Sequence, residues 1–233
     1  MTYFCNYTPA GIRVNNDART LGYYWFLQEP YCIKCGSPGI KTEDCMLRSW
    51  VYGFNRVYAL GKYISLERAK DLLSKHIVWL KMGYREYSIP LGSALSLYVK
   101  NKFPELLNAD FIVPVPAHPN KKNEKKDFNH SELITKEYCM NTNHEYLICL
   151  EQVKNTKFAG SSYGLVERYK EVKGMFKFLS FYDDVVSGKH IILLDDIATT
   201  CAQSSECSQI LLNHGAKKVD VLILGRNELD DSI

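Results

Sequence analysis

The chain has 233 residues, with 29 Lys or Arg against 26 Asp or Glu, for a formal net charge of +3. Charged residues at 24% and hydrophobic ones at 46% exclude wholesale disorder and a collagen-like or coiled-coil rod. No apolar run approaches the roughly 18–20 residues of a membrane span, and the opening Met1-Thr-Tyr-Phe-Cys5 lacks the basic and apolar regions of a signal peptide, so a soluble, cytoplasmic protein of one or two domains is expected.

Residues 1–55 read as irregular, with turn chemistry at Pro9-Ala-Gly11, Asn15-Asn-Asp17 and Ser37-Pro-Gly39. Tyr23, Tyr24, Trp25, Phe26 and Tyr31 then supply the small core of a metal-stapled module. From Val57 the pattern becomes regular, and residues 56–233 read as one α/β domain. Leu66, Ala69, Leu72, Leu73, Ile77 and Leu80 fall at helical spacing and predict a helix over 66–82. Pro90 suits the first turn of a second helix, running to about Lys102. Phe111-Ile-Val-Pro-Val115 reads as a buried strand ending at Pro116, 131–140 as a helix, and Tyr146-Leu-Ile-Cys-Leu150 as a second buried strand. Residues 153–174 hold Gly160-Ser-Ser162 and Gly164 and read as a long mobile loop. Ile191-Ile-Leu-Leu194 is a strand, 202–213 a helix stopped by Gly215, and Val219–Leu224 another strand. Apolar strands alternating with helices predict a parallel sheet covered on both faces.

The eight cysteines stand at 5, 32, 35, 45, 139, 149, 201 and 207. Cys32-Ile-Lys-Cys35-Gly36 is a thiol knuckle whose glycine permits a tight turn. Cys45 is a third candidate ligand and Cys5 a fourth, which together would make a four-thiolate structural Zn²⁺ site. Free thiols and a redox pair are the alternatives, and the surrounding Pro30 and Gly36-Ser-Pro-Gly39 argue against the helix start that a redox pair uses. Cys139 and Cys149 read as small core residues.

The segment richest in chemistry is Ile191-Ile-Leu-Leu-Asp195-Asp196-Ile197-Ala198-Thr199-Thr200-Cys201-Ala-Gln203-Ser204. Two carboxylates leave the carboxyl end of a buried strand, where open α/β sheets bind their ligands. A short loop of small and hydroxyl residues follows and then a helix N-terminus, whose free N–H groups and dipole suit a phosphate. Adjacent carboxylates repel each other unless they meet donors such as sugar hydroxyls or a metal. An ordinary helix cap after a strand is the alternative.

This run resembles the phosphoribosyl-diphosphate (PRPP) signature of type I phosphoribosyltransferases. Cys201 stands where such proteins usually carry Gly, and Gln203 where they carry Thr or Ser. Further blocks are similar to the competence protein F (ComF) family: the Cys32-x-x-Cys35-Gly36 knuckle; Leu80-Lys81 with Gly83 and Arg85; Asp110-Phe-Ile-Val-Pro-Val-Pro116-x-His118-Pro119; Phe128-Asn129-x-Ser131-Glu132-Leu133; Arg168 with Gly174-Met-Phe176; and Ser205-Glu206-Cys207. The resemblance spans nearly all of residues 57–226. It implies a parallel-sheet type I phosphoribosyltransferase fold with a small N-terminal cysteine module.

It also implies displacement at C1 of PRPP, with pyrophosphate leaving on Mg²⁺. Asp195 and Asp196 would be the catalytic pair holding the ribose hydroxyls, with Ile197, Ala198, Thr199, Thr200, Cys201 and Gln203 around the 5′-phosphate. Pro116, Ala117 and His118 would face the pyrophosphate, and 153–174 would form a lid carrying Lys154, Lys157 and Arg168. The basic run Lys121, Lys122, Lys125 and Lys126 could meet pyrophosphate or a nucleic-acid backbone, or be a solvated loop. The acceptor of the phosphoribosyl group is not legible. The alternative function is a non-catalytic protein that senses PRPP or handles single-stranded DNA, with DNA-uptake proteins as partners and an oligomer as a possible state.

Overall fold

The computed structural model describes residues 3–16, 20–64, 71–117, 128–154 and 164–227. The chain opens with an antiparallel meander of β1 (Tyr3–Thr8), β2 (Gly11–Asn16) and β3 (Thr20–Trp25). This corrects the irregular reading of the first 55 residues. Period-two alternation is present but masked, because aromatic side chains stand on both faces. Tyr3, Cys5 and Tyr7 turn inward, Phe4 is 55% exposed, and Ile12, Val14 and Tyr24 are fully buried. Two 3-10 turns, Thr42–Asp44 and Met46–Ser49, flank Cys45.

Strand β4 (Val57–Tyr63) follows, then helix α1 (Leu72–Lys81), whose start is set by Asp71 accepting from the Ser74 N–H at 2.8 Å. The helix expected from residue 66 thus begins at 72, and residues 66–70 lie outside the described ones. Next come α2 (Ser88–Lys102), with Pro90 in its first turn, β5 (Phe111–Pro114) and α3 (His130–Thr142). The strand expected over 146–150 is divided. Strand β6 (Glu145–Tyr146) is an exposed sheet edge, and β7 (Leu150–Gln152) leaves the main sheet to pair with β8 (Phe176–Phe178). Between them the expected loop contains a helix, α4 (Leu165–Val172), with residues 155–163 outside the described ones. Leu165, Tyr169 and Val172, at helical spacing, pack that helix on the core. After α5 (Asp183–Val186), the chain forms β9 (His190–Ala198), α6 (Ala202–Asn213) and β10 (Lys218–Asn227). Gly215, with φ +91°, turns the chain out of α6.

Five strands form a parallel sheet in the order β4-β10-β9-β5-β6. Their carboxyl ends therefore share one edge. Alternation along β9 sends Ile191 and Leu193 into one core and Ile192 and Leu194 into the other. The first core holds α6, Val172 of α4, the β7–β8 pair and Cys32, Cys35 and Cys45. The second holds α1, α2, α3 and the meander. Residues 1–55 thus contribute to both faces of the sheet. Among the described residues no helix is long and apolar enough to cross a membrane.

Candidate functional site

Strand β9 lies in the interior of the sheet and extends past Leu194 through both carboxylates to Ala198. Asp195 and Asp196 therefore belong to the strand end itself. Both are buried. The Asp195 Oδ1 accepts from the Ser131 hydroxyl at 2.8 Å and from the Asp196 N–H at 2.9 Å. The Asp196 Oδ2 lies 3.1 Å from the Lys81 ammonium at the end of α1. Burial first, and the neighbouring Asp196 carboxylate second, push the Asp195 carboxyl up to about 7. Burial works against the Lys81 ammonium, yet the charge and hydrogen bond of Asp196 outweigh it and hold Lys81 above the ordinary lysine value.

Ser131 is placed by a local cap. The Asn129 side chain accepts from the Ser131 N–H at 3.0 Å, and its amide donates to the Val115 carbonyl at 2.9 Å. The Phe128-Asn129-x-Ser131 block thereby fixes the start of α3 against the end of β5, beside Pro116 and Ala117.

Beyond Ala198, Thr199 and Thr200 turn the chain into α6. Cys201, at the helix N-cap, is left-handed with φ +62°. Such a conformation favours glycine, which accounts for the Gly found here in the signature that the loop resembles. Burial chiefly pushes the Cys201 thiol up to about 11. The Thr200 carbonyl accepts from the Tyr169 hydroxyl at 3.0 Å, so α4 is tied to the loop. A cavity of about 180 Å³ is lined by Arg168, Asp195, Thr199, Thr200 and Gln203, among others. A second, of about 290 Å³, is bordered by Lys81, Pro116, Ala117, Ser131 and Asp196. Asp195 and Gln203 border both. Ile197, Ala198 and Cys201 also line the first. Lys154 lines neither and stands beside Gly174. His118, Lys121, Lys122, Lys125, Lys126 and Lys157 lie outside the described residues.

On the same side of the sheet as α6, the thiols of Cys32, Cys35 and Cys45 lie within 4.8 Å of one another and are buried. The Cys35 and Cys45 sulfurs are 3.5 Å apart. Tetrahedral zinc with Zn–S bonds of about 2.3 Å separates its sulfurs by about 3.8 Å, so this cluster can bind a metal such as zinc. Burial raises the Cys35 thiol, but Arg226 and hydrogen bonds from Ser37 and Cys45 outweigh it, leaving Cys35 below the ordinary thiol value. Burial and the Cys35 charge push Cys45 up to about 12, a value that metal ligation would reverse.

Cys5 is not part of this cluster. It sits in the meander against α2, its thiol 3.7 Å from the Pro90 carbonyl, among residues of the opposite core. Burial pushes its thiol up to about 12. The strand β1 carries Cys5 to the other face of the sheet, which corrects its assignment as a fourth ligand.

Sequence reasoning gave no role to Tyr169 or Arg226 and reached Lys81 and Ser131 only as members of resembling blocks. A charged residue ending a buried strand, as Arg226 ends β10, is the signal that was there to find.

No family model and no curated protein matches the chain. A weak structural likeness joins it to the protein TT1426 of Thermus thermophilus, with a TM-score of 0.35 and 16% identity over 58% of this chain and 72% of that one. The resemblance to the competence protein F family rests on the quoted motifs alone.

Proposed function

We propose that this chain is a phosphoribosyltransferase-type protein of the type I, ComF-like kind, which binds PRPP with Mg²⁺ and transfers its phosphoribosyl group to an acceptor. One observation carries the reading: paired buried carboxylates end an interior parallel strand, and the loop that follows opens a helix beside two adjoining cavities. The helix and its loop offer N–H and hydroxyl donors that suit a 5′-phosphate, with Thr199 and Thr200 at hand. Asp195 and Asp196 suit the ribose hydroxyls as acceptors. Lys81, Pro116 and Ala117, across the second cavity, suit the diphosphate. Mg²⁺ bound with the substrate would neutralise the departing pyrophosphate. Arg168, on the wall of the first cavity, adds positive charge from α4. In the transfer itself, the C1–O bond to pyrophosphate breaks as the acceptor's lone pair forms the new bond at C1. This chain's residues position and stabilise charge and supply no nucleophile.

The test is a calorimetric titration of PRPP with Mg²⁺ into the wild type and into Asp195→Asn/Asp196→Asn. Saturable binding that disappears in the double variant is the expected result, and a wild type that takes up no PRPP refutes the proposal. Pyrophosphate release in the presence of a panel of nucleobases then separates transfer from sensing without turnover.

A further inference from the structure

Arg226 is a fully buried arginine at the carboxyl end of β10. Among the described residues none of its hydrogen bonds goes to a carboxylate. Its Nε donates to the Cys35 carbonyl at 2.8 Å and its Nη2 to the Ser37 hydroxyl at 2.9 Å. Its Nη1 donates to the carbonyls of Ala198 at 2.7 Å, of Thr199, and of Asn227 at 2.9 Å. One planar guanidinium therefore joins the thiol cluster to the loop after β9. Ser37 in turn contacts the Cys35 sulfur at 3.1 Å, and the Cys201 thiol donates to the same Cys35 carbonyl at 3.5 Å. Gly36, with φ +74°, makes room, since a Cβ there would lie 3.5 Å from Arg226 Cδ and 3.1 Å from Val57 Cγ1.

The peptide plane gives this contact a consequence. In a trans peptide the C=O and the following N–H point in opposite directions. Holding the Ala198 and Thr199 carbonyls on the guanidinium turns the N–H groups of Thr199 and Thr200 away from it. Both residues line the cavity next to Asp195, and Arg226 does not. Successive outward N–H groups backed by a buried cation form an anion-binding concavity. A metal on Cys32, Cys35 and Cys45 fixes the Cys35 backbone, which fixes the other end of the same guanidinium.

We propose that Arg226 is a positioning residue that couples metal occupancy of the Cys32–Cys35–Cys45 cluster to anion binding at the Thr199–Thr200 loop. A metal at the thiolates pre-forms the loop, and a phosphorylated ligand in the loop holds the metal in place. The ligand part rests on the function proposed above. Such coupling is reciprocal, and two-site couplings of about 5–150-fold are typical.

The test uses zinc-loaded protein in equilibrium competition with a chromogenic zinc chelator, which reads the zinc affinity. Saturating PRPP with Mg²⁺ should tighten the zinc affinity of the wild type at least about fivefold, and zinc-depleted protein should bind PRPP more weakly by the same factor. Inorganic phosphate at equal concentration is the control for chelation by the ligand. In Arg226→Lys, which keeps the charge but not the fork, both effects should fall below about twofold. Should that variant not fold, Ser37→Ala removes one of the hydrogen bonds of Arg226, together with the hydroxyl's contact to the Cys35 sulfur, and should weaken the coupling part-way. Calorimetric PRPP binding to the wild type with unchanged zinc affinity, or full coupling in the variants, overturns the coupling and leaves the proposed function standing. Absence of PRPP binding to the wild type overturns both.

Discussion

Replacing Asp195 by Asn should stabilise the protein, and more so as pH rises. The Asp195 carboxyl is displaced from the ordinary 3.8 to about 7, chiefly by burial and then by Asp196. A raised acid binds its proton more tightly folded than unfolded. Its contribution is therefore fully favourable below about pH 4 and is lost as pH rises to about 7. At about 1.4 kcal/mol per tenfold change in proton affinity, the wild type gives up ~4 kcal/mol over that window. Asn carries no charge at any of these pH values. Its Oδ1 can still accept from the Ser131 hydroxyl and the Asp196 N–H, the two bonds that Asp195 Oδ1 makes now. The stability advantage of Asp195→Asn should therefore grow by about 2–3 kcal/mol between pH 5 and pH 8. For a chain of this length that corresponds to roughly 5–10 °C in Tm. Thermal and urea denaturation of both proteins at the two pH values measure it. An advantage that is equal at both pH values, or a variant less stable than wild type at pH 8, would refute the account of a carboxylate strained by burial. Stability gained as ligand binding is lost is the mark of a functional group held against its own preference.

Lys81→Met removes the cation 3.1 Å from Asp196; with the lysine about a third exposed (35%), screening limits the loss to about 1 kcal/mol in urea denaturation. The same change should move the Asp195 titration to higher pH, read by carbon NMR of its carboxyl. Cys5→Ser should leave zinc content unchanged, because Cys5 lies against Pro90 on the far side of the sheet, whereas Cys45→Ser should abolish stoichiometric zinc in metal analysis. At Cys201, with φ +62°, the Gly variant should be more stable than the Ala variant by about 1 kcal/mol in urea denaturation, since only Ala keeps the left-handed penalty.

The parallel sheet was legible because its strands announce themselves locally. Ile191-Ile-Leu-Leu194 and Val219–Leu224 are unbroken apolar runs, or nearly so, and Asp195-Asp196 followed by Thr-Thr marks the end of the first. The meander was hidden because Tyr3, Cys5 and Tyr7 alternate with Phe4 and Asn6, so the outward face is not uniformly polar. Helix α4 was hidden because its three core contacts, Leu165, Tyr169 and Val172, follow a Gly-Ser-rich stretch and are outnumbered by charges. The cysteine arithmetic found three of the thiols that meet. It erred on Cys5 because sequence separation says nothing about which face of a sheet a strand will cover. The partners of Arg226 were out of reach for a related reason, since they stand 191 and 28 residues away and meet it only when β10 lies beside β9.

On the proposed function, the loop from Asp195 to Gln203 holds a phosphorylated ribose diphosphate. Phosphorus NMR of PRPP with Mg²⁺, titrated with this protein, tests it most directly, because the 5′-phosphate and the two diphosphate resonances report separately. The 5′-phosphate resonance should move and saturate with wild type and stay in place with Asp195→Asn/Asp196→Asn. Resonances that do not move with an excess of folded, zinc-loaded wild type would contradict it.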